Sequence, residues 1–179
     1  MIETVDSGIG ILVLIGQASI LMALGALLAQ RFLGKGEKIV SWFGDRAIAL
    51  AFFAALAATL GSLFYSEIRH YTPCLLCWYQ RIFMYPQVII LGIAWWKSDR
   101  RVWQYSVPLS IIGGLIALLH YYEQVTLNPL APCSTIGYSA SCTESFVLRY
   151  GYITIPLMAV TAFLMILVFR WAEKRSQHR

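Results

Sequence analysis

Pro73-Cys74-Leu75-Leu76-Cys77-Trp78-Tyr79-Gln80-Arg81 lies between two long apolar runs, and its reading decides the fold. Two cysteines three residues apart bring their sulfurs together within one helical turn. Leu75 and Leu76 place no charge between them. Pro73 suits a helix start, where its missing N–H is no loss. A cysteine in that first turn sits among unpaired backbone N–H groups, which favour a thiolate. Arg81 follows Cys77 by four residues, on the same helix face, where its cation would stabilise the Cys77 thiolate or an anionic ligand. Snorkelling of an arginine near a membrane boundary is the alternative reading.

Outward from this stretch the chain is apolar. Of its 179 residues, 59% are hydrophobic and 13% charged, well under the ~25% charged that soluble domains carry. Five runs each approach the ~20 residues needed to cross a hydrocarbon core. They are Gly8 to Ala29, Ala47 to Tyr65, the run from the cysteine pair to Trp95-Trp96, Val102 to Tyr122, and Tyr152 to Trp171. The expected fold class is an all-α, polytopic transmembrane helical bundle. The first run has Glu3 and Asp6 before it and no basic leader, so it reads as a retained helix. Residues 30–46 read as a short linker. In the second run, Ala47, Ala51 and Ala55 recur every four residues, as do Ala54 and Ala58, and Ala57 and Gly61. That spacing permits close helix packing in lipid, or is simple filler. Pro86 and Pro108 fall inside runs, and Pro86 should kink its helix.

The net charge of +5 does not mark a nucleic-acid binder, because the basic residues sit in clusters beside apolar runs. Arg31, Lys35, Lys38, Arg46, Lys97, Arg100, Arg101, Arg170, Lys174, Arg175 and Arg179 fall on one side of a five-span layout. Arg69, Arg81 and Arg149 fall on the other. The larger group marks the cytoplasmic face. The amino terminus is then outside and the carboxyl terminus inside, and loops 66–75 and 123–151 place all four cysteines outside. Tyr65, Tyr71, Trp78, Tyr79, Tyr85, Tyr121, Tyr122, Tyr150 and Tyr152 would form an outer aromatic belt; Trp95, Trp96, Trp103 and Trp171 would form an inner one.

The second cysteine pair, Cys133 and Cys142, has eight residues between its members, in a low-charge segment. It reads as a labile redox disulfide or as a structural staple. Zinc wants a second close pair or histidines at matching spacing, so metal chemistry fits less well than redox. His120 is the only histidine inside an apolar run; it is an interfacial residue unless its helix end meets Arg81.

Pro73 through Arg81, followed by Met84-Tyr85-Pro86, resembles the DsbB/BdbC family of bacterial disulfide-forming membrane proteins. Pro132-Cys133, Cys142 and Gly151-Tyr152-Ile153-Thr154-Ile155-Pro156 resemble its short-loop BdbC-like branch. The likeness covers roughly residues 46–172. It implies a four-helix core (46–179) preceded by an extra transmembrane helix and cytoplasmic linker (1–45). It also implies a membrane thiol oxidase, in the bacterial cytoplasmic membrane, that uses a quinone, ubiquinone or menaquinone. Its partner would be a thioredoxin-fold dithiol protein of the DsbA/BdbD type. By the same resemblance Cys133, paired with Cys142, meets that partner, and Cys74 and Cys77 pass the electrons on, with Cys77 adjacent to the quinone. Arg81 and His120 would be quinone-site residues, with no metal. The rivals are a membrane reductase of the vitamin K epoxide reductase type and a non-enzymatic metal carrier or chaperone.

Overall fold

The computed structural model describes residues 2–33, 36–128, 142–143 and 147–177. Six α-helices follow one another: α1 (Ile2–Leu33), α2 (Glu37–Asp45), α3 (Ala47–Leu63), α4 (Leu75–Lys97), α5 (Trp103–Thr126) and α6 (Ile155–Gln177). A π-helical turn, Phe64–Ile68, extends α3, and a 3₁₀ turn, Arg100–Val102, leads into α5. Among the described residues there is no strand, only an isolated bridge between Arg149 and Ile153.

Four helices close a ring in which α3 packs on α4, α4 on α5, α5 on α6 and α6 on α3. Helix α1 lies outside this ring, against α6 and α2. The expected four-helix core with one added helix is the observed arrangement. Four helical stretches are long and apolar enough to cross a bilayer: Val5–Phe32, Ala47–Ile68, Arg100–Thr126 and Ile155–Gln177. Helix α4 has 23 residues, about 34 Å at 1.5 Å per residue, so it too has the length to span. It is less apolar because it carries Gln80, Arg81 and Gln87, and it is sandwiched between α3 and α5. The protein is thus a multi-pass helical membrane protein.

The small residues of α3 divide into two sets. Ala47, Ala51 and Ala55 are buried in the core, which matches close packing, whereas Ala57 and Gly61 line a cavity instead. Phe163, Ile166 and Phe169 of α6 fill the ring's centre. Gly113 of α5 admits Phe163: a Cβ there would run into the ring edge.

Pro86 does not end α4. Beside it, the Gln87 side chain donates from Nε2 to the Phe83 carbonyl at 3.1 Å. The amide oxygen of Gln87 accepts from Ser106 Oγ at 2.6 Å and Ser110 Oγ at 3.1 Å. All three side chains are fully buried, so this network ties α4 to α5 where water cannot satisfy polar groups.

Three expectations change. Residues 37–45 are not linker but helix α2, started by Gly36 at φ 99°. Val40 and Phe43 recur at helical spacing and are buried, and Phe43 stacks on Phe169 of α6 at 5.7 Å. Tyr65 is not at a lipid interface: it is buried and stacks on Tyr71. Trp103 is likewise buried, with the Arg170 guanidinium over its ring.

Candidate active site

Helix α4 begins at Leu75, two residues later than Pro73 would set it. Cys74 is the N-cap, with extended backbone, and its Sγ accepts the Cys77 N–H at 3.3 Å. This uses one of the four N–H groups that a helix start leaves unpaired. The two sulfurs lie 2.9 Å apart, and both thiols are free. Cys74 is buried and Cys77 half-buried.

His120 comes from α5 into this site. Gln80 presents its amide nitrogen to His120 Nδ1 at 2.9 Å. An amide nitrogen only donates, so Nδ1 accepts and Nε2 carries the ring proton. Nε2 faces Cys74 Sγ at 3.5 Å. Cys74 therefore takes donors from Cys77 and from His120. The hydrogen bond from the Cys77 thiol is the chief cause that brings the Cys74 thiol down to about 5; burial opposes it and His120 assists. The sequence offered the first-turn N–H groups and Arg81 as thiolate partners; in the structure the hydrogen bonds converge on Cys74. His120 meets the cysteines rather than Arg81.

Arg81 is held by α3. Its Nε donates to Ser62 Oγ at 3.0 Å and its Nη2 to the Ser62 carbonyl at 3.3 Å; Tyr85 also donates to Ser62 Oγ. The guanidinium lies over the Trp78 ring. Among the described residues Arg81 makes no ion pair with a carboxylate.

Cys77, Gln80, Arg81 and His120 border a cavity of about 320 Å³ whose other walls are almost wholly apolar. It lies between α1, α3, α4, α5 and α6. An apolar pocket of at least ~300 Å³ with a few convergent polar groups is the usual form of a small-molecule site.

Cys142 is buried in one cluster with Cys74 and Leu76, and it is disulfide-bonded. Cys142 thus lies at the same end of the bundle as Cys74 and Cys77. Cys133 lies outside the described residues. Cys74, Cys77 and His120 also form a group with soft metal ligands close together. The 2.9 Å sulfur spacing is shorter than the edge of about 3.8 Å that 2.3 Å Zn–S bonds set in a tetrahedron. Sequence reasoning missed Gln80, Ser62 and the α1 wall of the cavity. Gln80 carried a signal: it is a polar residue one turn beyond Cys77, on the helix face that turns inward.

The family model for disulfide bond formation protein DsbB matches residues 44–172. Disulfide bond formation protein C of Bacillus subtilis (strain 168) is 47% identical over 117 residues, which span 64% of this chain and 83% of that protein. A probable disulfide formation protein C of Bacillus cereus is 44% identical over 124 residues, covering 69% and 88%. A probable disulfide formation protein of Metapseudomonas resinovorans is 37% identical over 123 residues, covering 68% and 84%. No solved structure matches the chain. With a free dithiol capped into a membrane helix, and a second, disulfide-bonded cysteine packed against it, the chain belongs to the DsbB family, membrane proteins of disulfide bond formation whose chemistry is thiol–disulfide oxidoreduction.

Proposed function

We propose that this protein reoxidises an extracytoplasmic thioredoxin-fold dithiol protein and delivers the electron pair to a membrane quinone. The observation that carries the reading is the polarity of the cavity. Sulfur, guanidinium and imidazole meet in its lining, and most of the remaining wall is apolar. A quinone has the same division, with a polar ring and an apolar tail, and bound there it would accept two electrons and two protons.

The chain's own residues account for the remaining steps. A thiolate of the reduced partner attacks the Cys133–Cys142 disulfide, and the partner leaves oxidised. The two thiols released reduce the Cys74–Cys77 disulfide by exchange, for which Cys142 is packed against Cys74. Cys74 receives this exchange because Cys142 shares its buried cluster. Cys77 faces the cavity and hands on the electrons as the Cys74–Cys77 disulfide re-forms. His120 Nε2–H holds the Cys74 sulfur as thiolate. Arg81 supplies positive charge where negative charge develops, in a site with little water to screen it. Residues 46–179 carry this chemistry and residues 1–45 are an added unit. The end that holds the cysteines faces out of the cell, since the basic residues gather at the other.

The test uses the protein in lipid nanodiscs with a reduced thioredoxin-fold partner and a quinone, followed by loss of quinone absorbance. Cys77→Ser abolishes turnover. Arg81→Ala raises the apparent KM for quinone about tenfold or more, as expected for losing a hydrogen-bonding charge, and leaves the partner's KM unchanged. Full turnover by Cys77→Ser, or an unchanged quinone KM in Arg81→Ala, would overturn the assignment.

A further inference from the structure

The added helix α1 is absent from the part of the chain that matches the family, residues 44–172. It is nevertheless built into the site. Ile9, Leu12, Val13 and Gly16 recur at helical spacing and all line the cavity. From Ile9 to Gly16 this stripe gives about 10 Å of wall at 1.5 Å per residue. Every polar group at the cysteine end of the cavity comes from other helices, and the residues α1 contributes are apolar.

The outer half of α1 is fastened in place. Asp6, 4% exposed at its side chain, lies 3.5 Å from Arg69 and 3.5 Å from Arg149. Arg69 precedes Cys74, and Arg149 follows Cys142, so one carboxylate holds both cysteine-bearing loops. Gln17 accepts a hydrogen bond from Tyr152 at 2.8 Å. Gly10 lies under the Tyr150 ring, where a Cβ would come within 3.1 Å of the ring edge. A loose anchor would need none of these contacts.

We propose that α1 is the wall that receives the apolar tail of the quinone and sets which tails the site accepts, with Asp6 as the residue that positions it. The inference rests on the quinone reading of the cavity. The polarity gradient supplies the reason. A ring bound near Cys77 and Arg81 leaves its tail to the apolar part of the cavity, to whose lining α1 contributes Ile9, Leu12, Val13 and Gly16.

The experiment compares a long-tailed prenylquinone with a tailless ring of the same headgroup, using full-length protein in nanodiscs. Val13→Phe fills the wall. It raises the KM for the long-tailed quinone about tenfold and shifts that for the tailless ring about twofold or less. Thiol exchange with the reduced partner, measured without quinone, stays as in wild type. Val13→Ala opens the wall without crowding it, so it guards against a folding defect; it changes the ratio of the two KM values in the opposite direction. Asp6→Asn raises the long-tail KM by a larger factor than the tailless-ring KM. If both Val13 variants leave the ratio of KM values at the wild-type figure, or shift both KM values equally, α1 is not the tail wall. If wild type exchanges thiols but reduces neither quinone, the reading of the cavity itself fails, a result the first outcome cannot mimic.

Discussion

Replacing His120 by alanine tests how the Cys74 thiolate is made. The substitution removes one N–H donor from a buried sulfur and leaves the Cys77 N–H and thiol in place. A hydrogen bond to a charged group is worth about 1.5–3 kcal/mol, and at 3.5 Å this one belongs at the lower end. One pKa unit corresponds to about 1.4 kcal/mol, so the Cys74 thiol should move up by about one unit from its value of about 5. The direction follows from which form is favoured. A lowered thiol pKa keeps the thiolate to lower pH, so losing a donor makes the thiolate disappear at higher pH. At pH 5.5 the thiolate fraction falls from about three quarters to about one quarter, while above pH 8 both proteins are fully ionised at this sulfur. The assay is iodoacetamide alkylation of the reduced C-x-x-C pair in nanodiscs across pH 4 to 9, with the labelled cysteine identified by mass spectrometry. The midpoint is the readout rather than the plateau rate, because a more basic thiolate is intrinsically more nucleophilic. Cys77→Ala should move the midpoint further than His120→Ala, since the Cys77 thiol is the largest cause of the shift. An unchanged midpoint in His120→Ala, or first labelling at Cys77, would refute the assignment of the thiolate to Cys74.

Two other substitutions probe the surroundings. Ser62→Ala removes the hydroxyl that orients Arg81 and leaves the backbone carbonyl, so the quinone KM should rise about fivefold, less than in Arg81→Ala, with the partner's KM unchanged. Gly113→Ala would drive a Cβ into the Phe163 ring and to within 2.9 Å of Phe83 Cβ. Overpacking of this kind costs about 1–3 kcal/mol, more than the ~0.5–1 kcal/mol that alanine gains over glycine in a helix. The unfolding midpoint in mixed detergent micelles should fall.

Much of this architecture is written in short-range patterns. Five apolar runs of spanning length became five long helices, because length and lipid solubility leave the backbone little else to do. The dithiol at a helix start was also legible, since three-residue spacing and a helix terminus are local facts. What escaped was either short or remote. Helix α2 is nine residues long and was hidden by its flanking glycines and lysines, although Val40 and Phe43 already marked a buried face. His120 reaches Cys74 across 46 residues and Asp6 reaches Arg149 across 143, so no local pattern announces either contact. Tyr65 and Trp103 look like belt residues by position. They are buried because the segment between α3 and α4 folds Tyr71 over one and α6 sets Arg170 over the other.

The pairing of Arg81 with a serine rather than a carboxylate ties these strands together. An arginine within a membrane bundle is expensive, and an acidic neighbour is the usual way to offset the cost. The same protein uses that solution elsewhere: Glu173 sits 3.0 Å from Arg170 and 3.5 Å from Arg100 at the opposite end, and Asp6 sits between Arg69 and Arg149. At the dithiol a carboxylate would cancel the field that an anionic ligand or a second thiolate needs. Ser62 fixes the guanidinium's direction through neutral hydrogen bonds, and no described carboxylate pairs with its charge. Placing an acid at this point, as in Ser62→Asp, should therefore hold Arg81 as firmly as serine does yet suppress quinone reduction by more than Ser62→Ala. If Ser62→Asp instead turned over faster than Ser62→Ala, orientation of Arg81 and not its free charge would be what the site requires.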